Sequence, residues 1–308
     1  MSASVAAEDR SAAEDRRAED RRAEDRPPPR VQARWGRYAA LAGLTGGAVL
    51  FLFPFYYMII GALQESPNTD ISGAFPQPGN LTFDNFVAIN RAINLAGTLL
   101  SSVIFTGGVI LATLVLGLLA GYALAQLEFR GKQLVFNAML LLLIIPFMLL
   151  MIPLYVMIVR SYGLEDNYLG MILPFAVNPT AVFIFRQFFM QVPQDLFDSA
   201  RIDGASELQI LTKIAVPLAK PAILTAMIVT FIGPWNEFLW PFLITKQADM
   251  QPLAVALGSF ISNVAGSVAN PFGAILAGAT VLAVPAVLAF LALQRHFVQS
   301  NLGSGVKG

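Results

Sequence analysis

The sequence predicts an all-α membrane protein: a bundle of six transmembrane helices with a cytoplasmic helical element between the fourth and fifth spans. Three observations carry that expectation. The 308 residues are 56% hydrophobic and only 13% charged, where an ordinary soluble domain carries roughly 25% charged residues. The charge is also crowded at one end: nine of the twenty Lys and Arg precede residue 38, and eight of the twenty Asp and Glu precede residue 26. What remains contains long uncharged runs, and ~20 predominantly apolar residues suffice to cross ~30 Å of hydrocarbon. Lipid is therefore the expected solvent of most of the chain after Tyr38.

Residues 1–37 read as a charged, disordered cytoplasmic tail. The unit Ala7-Glu8-Asp9-Arg10 recurs at 13–16, 18–21 and 23–26. Mixed charge without apolar residues cannot bury enough surface to fold, and Pro27, Pro28 and Pro29 stop any helix the repeat starts. The alternative to a solvated tail is an arm that docks a partner or a surface. No cleavable signal peptide is expected, because the first apolar run begins near residue 38 and is too long for the apolar core of one.

Residues 38–294 hold the spans. The first is Tyr38 to Leu63, the second lies within Leu99 to Ala125, the third within Gln133 to Val159, and the fourth within Tyr168 to Phe185. The fifth runs from about Pro221 to Ile244, broken only by Glu237. Met250 to Gln294 has no charge for 45 residues, which as one helix would be roughly 68 Å long. That is too long for one crossing, and Asn270-Pro271 is a natural break. The expected division is a short extracytoplasmic segment and then a sixth span, about Phe272 to Leu293. Residues 295–308 remain as a C-terminal tail.

Orientation follows from cations in the short flanks. With the N-terminus inside, the inner segments hold Arg26, Arg30, Arg34, Arg37, Arg130, Lys132, Arg186, Arg201, Lys213, Lys220, Arg295 and Lys307, twelve in all. The outer segments hold three: Arg91, Arg160 and Lys246. Both termini are expected in the cytoplasm. Proline recurs inside the spans, at Pro54, Pro146, Pro153, Pro174, Pro179, Pro234, Pro241 and Pro285. Each removes a backbone donor and kinks its helix, which suits a protein lining a cavity that changes shape.

Several chemistries are excluded. There is no cysteine, and His296 is the single histidine, so disulfides, thiolates and multi-histidine metal sites are ruled out. The formal net charge is zero, which gives no sign of nucleic-acid binding. No Gly-rich loop ending in Gly-Lys-Ser or Gly-Lys-Thr occurs, and Gly131-Lys132-Gln133 does not qualify. The chain is not expected to hydrolyse ATP itself.

The most informative segment is the polar stretch Pro193 to Pro217. Pro193 suits the first turn of a helix, and Leu196, Phe197 and Ala200 share a face at helical spacing. Gly204 can take the backbone angles of a sharp turn. Ser206 with Gln209 three residues on forms a capping box, opening a second helix to about Ile214. Leu208, Leu211 and Ile214 or Ala215 give that helix its own apolar face. A helical hairpin at the inner membrane surface can insert into a groove of a soluble partner.

This segment resembles the EAA loop of ABC importer permeases. The family pattern is Glu-Ala-Ala, three residues, Gly, nine residues, Ile-x-Leu-Pro. Here Asp198-Ser199-Ala200, Gly204 and Ile214-Ala215-Val216-Pro217 match its spacing at every step, with Asp198 for Glu, Ser199 for Ala and Val216 for Leu. Further segments resemble the carbohydrate-uptake branch, the MalG-like subunits of maltose-type importers. They are Asn80 to Phe86, Ala120 to Ala125 with Phe129 to Lys132, Trp235-Asn-Glu-Phe-Leu-Trp-Pro241, and the ending Gly303 to Gly308. The resemblance covers about Tyr38 to Gly308.

It implies a six-span permease fold in a bacterial inner membrane and ATP-driven sugar import by alternating access. The implied partners are a second homologous permease, a dimer of ATP-binding subunits and an extracytoplasmic sugar-binding protein. No cofactor is implied for this chain; ATP and Mg²⁺ belong to the partner ATPase. The resemblance assigns ATPase coupling to Asp198, Ser199, Ala200, Gly204, Ile214 and Pro217, and a tail contact with the ATPase to Gly303, Gly305 and Lys307. An ion-coupled secondary transporter is the rival class, although the two halves of the sequence show no obvious repeat.

Trp235, Asn236 and Glu237 are the candidates for the translocation path. Glu237 is the only acid inside an expected span, and intramembrane acids are costly enough to suggest function. Either it and Asn236 bond a sugar hydroxyl, or they satisfy backbone groups freed by Pro234 and Pro241. Trp235, Trp240 and the cluster Phe183, Phe185, Phe188 and Phe189 either stack on sugar faces or anchor the span ends. His296, beside Arg295, reads as an inner-surface residue.

Overall fold

The computed structural model describes residues 33–68, 70–263 and 265–302, and the chain divides into two units after Phe55. The charged repeats and the Gly303 to Gly308 tail lie outside the described residues. Among those described, the structure is helical, with one isolated bridge between Gln64 and Leu81.

The first unit is the leading part of α1 (Ala33–Ala62), a 30-residue helix containing Pro54. Leu44, Leu50, Phe51 and Leu52 are all exposed. A helix apolar all round is built for a lipid or protein environment rather than for water.

The second unit is organised around α3 (Leu95–Gln126), which follows the short α2 (Asp84–Ile93). Asn94 takes a left-handed conformation at φ 49° and its side chain accepts from the Gly97 N–H, so α3 starts at a defined cap. The buried side of α3 is rich in small or polar residues, Thr98, Ser101, Ser102, Thr106, Thr113, Gly117 and Gly121, set among Phe105, Val109, Tyr122 and Leu124. Small residues let backbones approach closely where no water drives the helices together. At Gly121 α3 comes close to the backbone of its neighbour: an added Cβ would lie 2.5 Å from Phe185 Cβ and 3.0 Å from the Arg186 nitrogen. Arg186 Nε donates to the Leu124 carbonyl and Gln126 Nε2 to the Phe189 carbonyl, at 3.3 and 2.8 Å.

Among the described residues, three helices are long and apolar enough to cross a membrane unbroken: Gly36–Ala62, Leu95–Gln126 and Pro271–Ala292. Up to three further crossings are bent pairs. In the third expected span, α4 (Lys132–Leu142) and α5 (Phe147–Tyr155, extended by a π-helical turn to Ser161) meet at 98°. Pro146 explains the break, because it lacks an N–H and pushes the residue before it out of the helical region. In the fourth, α6 (Tyr168–Ile172, with a 3₁₀ turn through Phe175) meets α7 (Pro179–Gln191) at 51°. Asn178 caps α7 by accepting from the N–H groups of Thr180 and Ala181, with Pro179 in the first turn. The prolines in these spans predict kinks within single segments; the bends of 98° and 51° are larger and divide each span into two helices.

The hairpin follows as α8 (Gln194–Ile202), α9 (Glu207–Ile210), a π-helical turn (Leu211–Ala215) and α10 (Val216–Leu218). The second arm thus runs past the expected Ile214, and it meets α11 (Lys220–Asn236) at 77°. The fifth expected span ends early as a continuous helix: α11 stops at Asn236, and the separate α12 (Leu239–Ile244) takes over. The uncharged 45 residues divide near the expected break, into α13 (Leu253–Asn263) and α14, which starts at Pro271 and runs to Leu302.

Candidate functional site

The hairpin turns at Gly204, whose φ is +81°. Ala205 N–H bonds the Ala200 carbonyl and Gly204 N–H the Arg201 carbonyl, both at 3.0 Å. Those two bonds close α8 as a Schellman motif with glycine in the left-handed position. Ser206 and Gln209 then form a complete capping box that opens α9. Both helix ends of the hairpin are satisfied internally, so the turn is rigid without help from outside.

Its apolar faces are shared with the spans. Phe197, Ala200, Ile210, Leu211 and Ala215 lie in one buried cluster with Tyr122 of α3, Phe185 and Phe189 of α7, and Ala222 and Ala226 of α11. Tyr122 packs edge-on against both Phe189 and Phe197. Leu196, Leu208 and Ile202 stay exposed, Ile202 at 86%. Of the residues singled out by the family pattern, Ala200 packs inward and Ile214 is half-buried, while Gly204 and Pro217 are exposed. Ser199 Oγ donates to the Asp195 carbonyl at 2.7 Å.

Asp198 opens a polar chain that sequence reasoning did not assemble. Arg201 Nη1 bonds Asp198 Oδ1 at 2.8 Å and Arg201 Nε bonds Glu207 Oε1 at 2.8 Å. Tyr122 Oη donates to Glu207 Oε2 at 2.6 Å, across 85 positions of sequence. Arg201 Nη2 also reaches the Gln126 carbonyl at 3.5 Å. One guanidinium therefore holds both arms of the hairpin, and one carboxylate holds the hairpin to α3. The Arg201 hydrogen bond keeps the Glu207 carboxyl below the usual range against the opposing effect of burial, with the Tyr122 bond adding to it. Arg201 is in turn held more firmly protonated, chiefly by Glu207. The Asp198–Arg201 spacing of three on a helix was the local signal available; the Tyr122–Glu207 contact had none.

The residues Trp235, Asn236 and Glu237 separate. Trp235 is buried, stacks on Phe231 and gives its indole N–H to the Leu282 carbonyl at 3.0 Å. Asn236 Nδ2 bonds the Ile232 carbonyl one turn back, at 2.9 Å. Glu237 Oε1 accepts from the N–H groups of Leu239 and Trp240, at 3.1 and 3.2 Å, and so caps the start of α12. Each of the three thus serves backbone groups of the bundle. Glu237 does more: it lines a half-open cleft of about 280 Å³ together with Asn178, Thr230 and Phe175. The aromatic candidates Phe185, Phe189 and Trp240 are fully buried in helix packing.

The model of the family described as "binding-protein-dependent transport system inner membrane component" matches residues 113–302, from the middle of α3 through the hairpin to the end of α14. The chain belongs to that family. As a member of it, this permease is an inner-membrane component of a transport system, and an ion-coupled secondary transporter is set aside. The arabinooligosaccharide permease AraQ of Bacillus subtilis is 32% identical over 269 residues, covering 85% of this permease and 92% of AraQ. The trehalose permease SugB of Mycobacterium tuberculosis is 36% identical, covering 81% and 90% respectively. The sn-glycerol-3-phosphate permease UgpE of Yersinia pestis is 29% identical, covering 84% and 93%. A chain of a bacterial ABC transporter that imports the acidic polysaccharide alginate shares the fold, with a TM-score of 0.76 over 88% of this permease and 99% of that chain, at 22% identity.

Proposed function

We propose that this permease is one half of the translocation pathway of an ATP-driven sugar importer. A second homologous permease supplies the other half, an extracytoplasmic binding protein delivers the sugar, and a dimer of ATP-binding subunits hydrolyses ATP with Mg²⁺. Both termini are cytoplasmic, and the pathway opens alternately to the two sides. The hairpin bearing Asp198, Ser199, Ala200, Gly204, Ile214 and Pro217 docks one ATP-binding subunit, and Gly303, Gly305 and Lys307 extend the contact in the tail.

The observation that carries the reading is the shared core of the hairpin and the spans. A rigid hairpin packed with α3, α7 and α11 cannot be pushed without moving them, since packed interiors resist compression. Exposed Ile202 and Leu208 beside the turn give a partner groove something apolar to grip. The sugar cargo is supported by the names of AraQ and SugB.

Affinity purification from native membranes tests this directly. The expected result is recovery of a second permease and an ATP-binding subunit, with hydrolysis stimulated by a loaded binding protein. Recovery of this chain alone, with transport driven by an ion gradient, would overturn it.

A further inference from the structure

The cleft beside Glu237 sits where three crossings break or pass their midpoints. Val109 is close to halfway along α3, the 51° bend of the fourth span supplies Phe175 and Asn178, α11 supplies Thr230, and Glu237 follows directly on its last residue. Its walls are mostly apolar, so each polar group on them stands out. Three have capacity that the protein leaves unused. Asn178 spends Oδ1 on capping α7, while its Nδ2 has no partner among the described residues. Glu237 spends Oε1 on α12 and keeps Oε2 free of protein donors. Thr230 is 3% exposed and its Oγ1 has no partner among the described residues. Its carbonyl is also deprived of the usual helical donor, because the residue four positions on is Pro234. Buried polar groups are normally paired, so Thr230 needs an explanation, and the half-buried Asn178 and Glu237 hold spare capacity beside the same cleft.

We propose that this cleft is a subsite for one ring of a neutral, polyhydroxylated ligand, held by Asn178, Thr230 and Glu237. The assignment rests on the sugar-importer reading and deepens it by choosing between cargo classes. Sugar hydroxyls both donate and accept, so neighbouring hydroxyls of one ring can receive from Asn178 Nδ2 and donate, one hydrogen each, to Glu237 Oε2 and a Thr230 oxygen. Phe175 supplies an apolar face beside them. The chemistry disfavours an anion: a carboxyl lines the cleft and no Lys, Arg or His does. A phosphorylated polyol or a uronate would meet Glu237 without a compensating cation. The size sets a limit as well, since about 280 Å³ lies just under the ~300–1,000 Å³ usual for small-molecule sites. It takes one ring of a chain rather than the whole chain.

The local hydrogen bonds suggest variants that spare the fold. Thr230→Val removes a hydroxyl with no protein partner, and Asn178→Asp keeps the capping oxygen while deleting the free donor. The complete assembly, with its own binding protein, is reconstituted in proteoliposomes and offered labelled trehalose, arabinotriose and sn-glycerol 3-phosphate. Uptake of each is measured alongside stimulated ATP hydrolysis. The expected result is uptake of a neutral sugar, reduced roughly three- to ten-fold by either variant, as loss of one hydrogen bond implies, with hydrolysis within about twofold of wild type. ATP-dependent neutral uptake unchanged by both variants overturns the subsite and leaves the importer reading standing. Uptake and hydrolysis falling together also overturns it, because the groups then serve assembly. Uptake of glycerol phosphate alone overturns the neutral class. Uptake that ignores ATP overturns the importer reading itself, and the subsite with it.

Discussion

Two of the polar regions that interrupt the apolar packing of the second unit are opposites. Around Arg201 the charged groups engage one another: the guanidinium bonds Asp198 and Glu207, and Glu207 bonds Tyr122. Around Glu237 one oxygen is engaged and the neighbouring groups are left with unspent donors and acceptors. The first arrangement fixes positions and suits a part that must transmit force. The second leaves capacity for something that arrives and departs. A glutamate sits in each, and its surroundings differ: Glu207 faces a guanidinium, while Glu237 faces backbone N–H groups and an open cleft without a cation.

The largest expected effect breaks the rigid region at its turn. A Cβ at Gly204 would meet nothing within 4 Å, so the cost of substitution is in the backbone, held at φ +81°. A β-branched residue there pays ~1–2 kcal/mol for the left-handed conformation. Gly204→Val should lower transport at least roughly tenfold while hydrolysis persists, and Gly204→Asn should be far milder because Asn tolerates that region. Normal transport by Gly204→Val would sink the coupling assignment. Equal damage from Asn would move the cause from backbone to a contact with the partner.

Next comes the packing that links the two regions, since α7 carries Asn178 at its start and packs against Tyr122 near its end. Gly121→Ala puts a methyl 2.5 Å from Phe185 Cβ with backbone close behind, and overpacking of this kind costs ~1–3 kcal/mol. Gly117→Ala meets only the edge of the Phe185 ring at 3.2 Å and should cost less. Thermal unfolding of the purified assembly should rank Gly121→Ala below Gly117→Ala. The reverse order would mean that α3 and α7 are not held at this distance.

What the sequence revealed follows the range of each interaction. The Ser206–Gln209 box, the Gly204 turn and the break at Asn270-Pro271 are local, and each is where residue chemistry places it. Pro146 and Asn178-Pro179 marked the bends but not their size, because the angle depends on which neighbours receive the two halves. The Tyr122–Glu207 bond joins residues 85 apart, and no single-sequence pattern points from one to the other. Trp235 drew notice as an aromatic near a polar pair, yet its indole is tied to Leu282. Thr230 drew none, because an isolated threonine in an apolar helix has no motif; only its missing partner identifies it.

A smaller effect tests whether the rigid region is held by charge. Arg201→Ala removes two ion pairs, and their carboxylates are 52% and 42% exposed. Half-exposed pairs contribute ~0–1 kcal/mol each, so a loss of about 1–2 kcal/mol is the ceiling. Tyr122→Phe should cost less, because water can reach the Glu207 oxygen it abandons. A double-mutant cycle between Tyr122→Phe and Arg201→Ala should show non-additivity, since both act on Glu207. Strict additivity would mean that the chain of bonds does not act as one unit.

The smallest expected effect is that of pH. Glu207 is held below its ordinary range by Arg201, so its contribution is fully present above the unfolded carboxylate pKa of ~4.3. It is lost as pH falls through the lower folded value, where protonation frees Arg201 and weakens the tie to α3. Between pH 6 and 8, stability should therefore show no dependence on this group. Below about pH 4 the wild type should lose a fraction of a kcal/mol that Glu207→Gln has already forfeited, so their unfolding temperatures should converge. Such small ties release readily, and that matters for a hairpin that must move its spans in every transport cycle. If the two proteins stayed equally far apart at low pH, Glu207 would be acting by shape rather than by charge, and the contrast between a region fixed by ion pairs and a cleft left open for ligand would lose its electrostatic half.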